Sequence, residues 1–247
     1  MRLKFTYLLA VALAALTASA QQQQSGPSLP NSPDREKQIE KAEQSRRMLG
    51  LVPQFGVTDR KDAPPLTPRG KFRLFYRTAF DPMEFVLTGM EAGVDQAENA
   101  FPDYGQGAAG YGKRFGAAFT DEFSSNLFTT FVYPTLLQED PRYFRLREGS
   151  FKRRFGYALS QVFIAHKDAG GRTFNWSNAL GALSSGGLSN AYYPAADRGF
   201  ELTMSRAGIA LLYNSLGGIG SEFWPDLARK LHHKPRPLAP GEQTQKQ

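Results

Sequence analysis

The stretch GYGKRFGAAFTDEF, from Gly110 to Phe123, decides the fold because it has the composition of a helix but carries glycine at interior positions. Each interior glycine costs a helix roughly 0.5–1 kcal/mol relative to alanine. Glycine is favoured inside a helix only where another backbone must come close. The stretch therefore predicts a helix that packs tightly against a second helix.

Small residues recur every four positions in this stretch and in two other segments. Such rows drift slowly around a helix and favour pairs that cross at about −40° to −50°. The three rows are Ala108, Gly112, Gly116, Thr120 and Ser124; Gly89, Gly93 and Ala97; and Ser177, Gly181, Ser185 and Ser189. The predicted helix-packing residues are Gly89, Gly93, Gly112, Gly116, Gly181 and Ser185.

Residues 67–233 predict a compact all-α bundle of about five to six helices, with disordered termini on both sides. Thr67-Pro68 opens one helix, and the capping box Asp81-Pro82-Met83-Glu84 opens another. Further helices are expected at about 111–138, 151–166, 175–193 and 201–223. A proline after an aromatic residue is predicted to end or kink a helix at Phe101-Pro102, Tyr133-Pro134, Tyr193-Pro194 and Trp224-Pro225.

The N-terminal segment predicts that the protein is exported. Residues 1–20 have a basic start, a short apolar stretch and an Ala18-Ser19-Ala20 cleavage site, which is typical of a secretory signal peptide. Residues 21–66 predict a polar, proline-rich tether with a short helix near 34–49, and residues 234–247 a disordered tail. The expected location is the periplasm or outer envelope. Because the chain has no cysteine, its stability must come from packing without disulfides.

The charge of the chain indicates anionic partners. Loss of Arg2 and Lys4 with the signal peptide lowers the formal charge from +7 to +5. In the envelope, the available anions are membrane head groups, cell-wall polymers and glycans, whereas nucleic acid is not an expected partner.

The segment DPRYFRLREGSFKRRF, Asp140 to Phe155, interleaves basic and aromatic side chains. One interpretation is a contact with an anionic surface, in which aromatic rings enter an apolar layer. The alternative is a solvated helix connection whose aromatic rings turn inward. The predicted contact residues are Arg142, Arg145, Arg147, Lys152, Arg153 and Arg154.

Rows of small residues are also common in membranes, so insertion of the bundle stays open beside a soluble bundle. The uncharged segments are either short or contain several asparagine and serine residues, and none has the roughly 20 predominantly apolar residues of a spanning helix. Homo-oligomerisation through the glycine rows is a further possibility.

Candidate catalytic residues are few: Ser184, His166 and Asp121. ALSSG, from Ala182 to Gly186, loosely matches the pattern around a nucleophilic serine, but that pattern needs a preceding strand, and here it lies inside a row of small residues. The sequence favours a non-enzyme, with no metal site and no cofactor.

Three motifs, GYGKRFGAAF, LLQEDPRYFR and GGLSNAYYPAADRGF, resemble an uncharacterised family of exported bacterial cell-envelope proteins. The resemblance covers most of residues 70–225. It implies an envelope location and a module that can follow other extracytoplasmic domains, including a carboxypeptidase-regulatory-like β domain. No known activity is implied.

Two functions of different classes follow from the sequence. The first is a non-enzymatic helical module that associates with a membrane surface or with itself. The alternative is a periplasmic hydrolase acting on lipid or cell-wall polymer.

Overall fold

The computed structural model describes residues 47–48, 52–61 and 63–232, and these residues are 68% helical. The helices are α1 (Pro68–Ala79), α2 (Pro82–Ala97), α3 (Gly107–Asn126), α4 (Tyr133–Leu137), α5 (Phe151–Ser160), α6 (Trp176–Leu188) and α7 (Phe200–His232). A π-helical segment, Leu127–Val132, joins α3 to α4 without a break, so the described chain has six helical rods. The predicted all-α bundle is confirmed.

The rods pack as neighbouring pairs. α2 lies on α3, α5 lies on α7, and α6 contacts both α7 and the π-helical segment. Thr67 and Asp81 cap α1 and α2, accepting from the amides of Gly70 and Met83. Both helices begin with a proline at their first positions, as the sequence predicts.

Short strands connect the helices. They are β1 (Arg47–Met48), β2 (Val52–Pro53), β3 (Val57–Thr58), β4 (Glu139–Asp140), β5 (Tyr143–Phe144), β6 (Ile164–Lys167) and β7 (Arg172–Phe174). β1 pairs antiparallel with β2, β3 pairs parallel with β5, and β6 lies between β4 and β7 in an antiparallel sheet.

The packed body begins before the predicted boundary at residue 67. Gln54, Val57 and Thr58 are buried, and β3 pairs with β5 near the middle of the chain. Residues 52–61 therefore belong to the folded body and not to the tether. The helix predicted near 34–49 lies outside the described residues except at Arg47 and Met48, which are strand.

Two of the four aromatic-proline pairs do not end a helix. Pro134 lies within the rod, just after the π-helical segment, and Pro225 lies inside α7. Proline leaves the carbonyl four residues earlier without a donor. In α7 this carbonyl belongs to Ser221, and the Nε of Arg145 donates to it at 2.5 Å. A guanidinium from a distant part of the chain thus supplies the hydrogen bond that the missing amide cannot make.

The glycine rows pack closely only in part. A Cβ on Gly181 would lie 2.5 Å from the Cγ2 and 3.2 Å from the backbone nitrogen of Thr129, so α6 approaches the π-helical segment backbone to backbone. A Cβ on Gly89 would lie 3.3 Å from the hydroxyl oxygen of Tyr111. Ser185 is buried, as predicted.

The prediction is wrong for the other glycines. On Gly93, Gly112 or Gly116, a Cβ would meet no atom of the described residues within 4 Å. Gly112 and Gly116 are therefore not in close contact with another helix of the described residues, and four-residue spacing alone does not distinguish a packed position from an open one.

Candidate interaction surface

The interior is unusually polar for a helical domain. Arg114, Lys71 and Glu222 are the largest side chains that are fully buried, and many of the buried apolar residues are alanines. Charged side chains are almost never fully buried in soluble proteins unless they are paired. The hydrogen-bond partners of these three groups therefore define how the interior is built.

Glu222 on α7 is 0% exposed and accepts four hydrogen bonds. Its donors are the Tyr143 hydroxyl at 3.1 Å, the backbone amides of Leu146 and Arg147 at 3.0 and 2.9 Å, and the Nε of Arg154 at 2.8 Å. Burial, and next the Glu222 charge, raises the pKa of Tyr143. The carboxylate thus links α7 by hydrogen bonds to α5 and to the segment after β5.

Three of the six basic residues predicted to contact an anionic surface are instead held by hydrogen bonds inside the protein. The prediction is therefore wrong for Arg142, Arg145 and Arg154. Arg154 pairs with Glu222 and Asp226. Arg145 donates to Asp59 and Gln54. Arg142 donates two hydrogen bonds to Asp140. These carboxylates come mostly from distant parts of the chain, and the charge pattern of the segment does not reveal them.

The other three basic side chains of that segment point outward. The side chain of Arg147 is 61% exposed, with its Nε 3.9 Å from the carboxylate of Asp59. Lys152 and Arg153 are exposed on the first turn of α5. The segment retains a cationic edge of three residues.

Arg114 and Lys71 hold loops against helices. Arg114 donates to the carbonyls of Ala100 and Gly105 at 2.8 and 2.7 Å, and to Gln96 at 2.7 Å. It thereby fixes the turn after α2, where Phe101 has a φ of 52°. The Nζ of Lys71 donates to the Pro134 carbonyl at 3.0 Å and pairs with Asp168.

Large aromatic side chains form a row that is mostly half-buried on α3 and exposed on α1. Tyr111, Phe115, Phe119 and Phe123 stand one turn apart on α3, with ring centroids 6.5, 6.4 and 6.1 Å apart along the row. Phe123 lies 5.9 Å from the Phe80 ring. We call the continuous row the aromatic ridge; its members are Phe72, Tyr76, Phe80, Tyr111, Phe115, Phe119 and Phe123.

The ridge is open to solvent at the end formed by α1. Phe72, Tyr76 and Phe80 are 46%, 54% and 44% exposed. Other exposed large apolar residues follow α2 and α7, including Phe85, Val86, Met90, Phe200, Met204, Leu212 and Leu216. None of the helices within the described ranges combines the length and the apolar composition needed to cross a membrane.

A groove of about 630 Å³ lies beside the open glycine row of α3. Gly116 and Lys113 line one wall, and Tyr192, Tyr193 and Arg198 line the other. The motif that begins at Gly110 and the motif that ends at Phe200 thus meet at this groove. Their tyrosines are held rigidly, because the hydroxyls of Tyr192 and Tyr193 both donate to Asp121.

Asp121 and Glu122 are both carboxyl groups with a raised pKa. Burial raises the pKa of Asp121, and the hydrogen bonds from Tyr192 and Tyr193 act in the opposite direction. Glu122 is an exposed residue by its surface area. Partial desolvation of its carboxyl by the surrounding side chains, followed by the charges of Glu84 and Asp121, raises its pKa to about 7.

The three candidate catalytic residues are not brought together. Ser184 lies in α6 and shares a hydrogen bond with the Tyr133 hydroxyl at 2.8 Å, while Asp121 is engaged by tyrosines. His166 lies in β6 with its ring 4.2 Å from that of Phe144; burial, and next Arg172, lowers its pKa. Within the described ranges, no three His, Asp or Glu side chains are grouped as a metal ion requires.

Two features of the structure were not predicted from the sequence. The outer face of α1 shows a signal in the sequence, since Arg69, Phe72, Arg73, Tyr76 and Arg77 recur at helical spacing. The burial of Glu222 has no such signal, because its four donors come from residues 143–154.

Comparisons of the chain with models of protein families, with curated proteins and with solved structures gave no match.

Proposed function

We propose that the protein is a non-enzymatic cell-envelope module that associates with a membrane surface through its outer apolar side chains. The observation that carries this proposal is that the largest fully buried side chains include charged ones, such as Arg114 and Glu222, whereas many large apolar side chains are exposed. The exposed ones include Phe72, Tyr76, Phe80 and Tyr111 of the aromatic ridge and apolar residues of α2 and α7.

Such a distribution suits a surface that is partly surrounded by lipid. A soluble monomer rarely exposes contiguous apolar patches larger than about a few hundred Å². Transfer of exposed aromatic rings from water to the acyl boundary is favourable. The paired charges stay inside, where hydrogen bonds and counter-charges satisfy them whatever lies outside.

The expected export of the chain is compatible with this role. A signal peptide and the resemblance to envelope proteins would bring the protein to the face of a membrane. The hydrolase alternative gains no support, since Ser184, His166 and Asp121 have separate partners. Self-association through the same apolar surface is the competing non-enzymatic role.

Fractionation of the producing cells tests the proposal. The protein is expected in the membrane pellet; release by high salt would indicate attachment through charge, and retention through salt and high-pH washes would indicate apolar burial. Recovery of the protein entirely in the soluble fraction, as a monomer or as an oligomer, would contradict membrane association.

A further inference from the structure

The structure assigns the membrane contact to the outer face of α1, and its partner to an anionic bilayer surface. This inference rests on the proposed function and replaces the basic segment at 142–155 as the main contact. We define the α1 face by its exposed members, Arg69, Phe72, Arg73, Tyr76, Arg77 and Phe80.

α1 has two different faces. With about 100° between successive residues, the members of the α1 face fall within an arc of roughly 140°. The buried residues Lys71, Leu74, Phe75 and Ala79 occupy the opposite side. The helix is therefore two-sided: it is anchored to the body by one face and presents arginines and aromatic rings on the other.

The α1 face is continuous with aromatic side chains of the neighbouring helices. The Phe72 ring contacts Phe131 of the π-helical segment edge to face at 5.2 Å, and Phe80 contacts Phe123 at 5.9 Å. A bilayer that receives the rings of α1 would also lie beside those of α3, so the contact extends over more than one helix.

The α1 face is cationic. α1 contains no acidic residue, and its last turn carries Arg77. Arg69 and Arg73 are exposed on its first two turns. Interleaved cations and aromatic rings match the phosphates and the acyl boundary of an anionic bilayer, where the cations reach the head groups and the rings lie below them.

The same charges disfavour a second copy of the chain as the occupant. A two-fold contact places the same patch on both subunits, so the arginines of two α1 faces would be brought close together. Like charges placed opposite each other weaken such a contact. An anionic bilayer is complementary where a second copy is not.

The experiment compares two double variants that remove the same net charge. The exported chain carries either Arg69→Gln with Arg73→Gln on α1, or Lys152→Gln with Arg153→Gln on α5. Sedimentation with vesicles of phosphatidylglycerol and phosphatidylcholine measures the partition coefficient. Glutamine is a good helix former, so both helices are retained.

We expect each arginine lost from α1 to weaken partition into anionic vesicles about fivefold, and the pair about 25-fold. The α5 control should change it less than twofold. Equal losses for the two variants, or no loss for the α1 variant, would overturn the assignment but leave membrane association intact. Failure of the wild-type chain to bind vesicles of either composition would remove the proposed function as well.

A second measurement uses the absence of cysteine from the chain. A single Tyr76→Cys or Lys152→Cys, labelled with a polarity-sensitive nitrobenzoxadiazole dye, reports whether that position enters an apolar layer. Emission should shift to the blue with anionic vesicles for the label at position 76 and stay constant at position 152. A shift at 152 without one at 76, or a shift at 76 on self-association without lipid, would overturn the inference.

Discussion

Replacement of Arg154 by methionine tests the interior ion network most sharply. The wild-type guanidinium donates to the Glu222 carboxylate at 2.8 Å and to the Glu222 carbonyl at 2.6 Å, and it also pairs with Asp226. Methionine keeps an unbranched apolar side chain in place of the arginine stem but has no donor, so the variant leaves a buried carboxylate without its cation.

The magnitude follows from what Glu222 retains. Loss of one partner of a buried ion pair costs about 3–5 kcal/mol. Glu222 keeps three donors, from Tyr143 and the amides of Leu146 and Arg147, which places the expected loss near the lower limit, at about 3 kcal/mol. For a domain of this size that loss corresponds to a fall in Tm of roughly 6–12 °C.

The assay is thermal and urea unfolding followed by circular dichroism, with Arg153→Met as the matched control. Arg153 is exposed beside Arg154 in the same helix, so its loss should change the free energy of unfolding by less than about 0.5 kcal/mol. The double variant Arg154→Met with Glu222→Met should lose less than the sum of the two single losses, because it leaves no unpaired charge at this position although Tyr143 and the amides of Leu146 and Arg147 lose their acceptor. If Arg154→Met and Arg153→Met were equally stable, Glu222 would not depend on Arg154 and the interior network would be refuted.

Three further predictions concern backbone packing, pH and the proline in α7. Gly181→Ala should lower the free energy of unfolding by about 1–3 kcal/mol through its clash with the π-helical segment, whereas Gly116→Ala should raise it by about 0.5–1 kcal/mol. Urea midpoints of the two variants that moved in the same direction would contradict this. Because the pKa of Glu122 is raised in the folded protein, the stability that its proton confers is lost as pH rises from about 4.5 to above 7. Glu122→Gln should therefore raise Tm at pH 8 by about 2–4 °C, after allowance for solvent screening, and leave Tm unchanged at pH 4. A gain in Tm confined to acidic pH would contradict this prediction. Pro225→Ala restores a backbone donor, so it should rescue part of the stability lost in Arg145→Met, and strictly additive losses in unfolding experiments would argue against that coupling.

Local signals in the sequence predicted the helical framework well. Thr67 and Asp81 are helix caps in the structure, and Gly181 is a close approach between helices. Each of these features depends on a residue and its immediate neighbours, or on a row along a single helix. A four-residue row does not say what lies opposite, so Gly112 and Gly116 could not be distinguished from Gly181.

Features that depend on distant partners could not be predicted. Arg145 looks like a solvated cation in its own segment, but Ser221 and Gln54 bring it inside. Pro225 looks like a helix stop until the donor that replaces its amide is known. The α1 face was readable from spacing, yet aromatic residues at helical spacing usually indicate a core, and burial was needed to show which face is outward.

Flotation of the wild-type exported chain on a density gradient tests the central claim most directly. The chain is incubated with phosphatidylglycerol or phosphatidylcholine vesicles at low and high salt, and its position is compared with that of the lipid-free chain. The exposed apolar side chains predict that the protein rises with vesicles, and the arginines of the α1 face predict that it prefers anionic vesicles and binds them less at high salt. A protein that stays at the bottom of every gradient as a monomer or a closed oligomer would contradict the account.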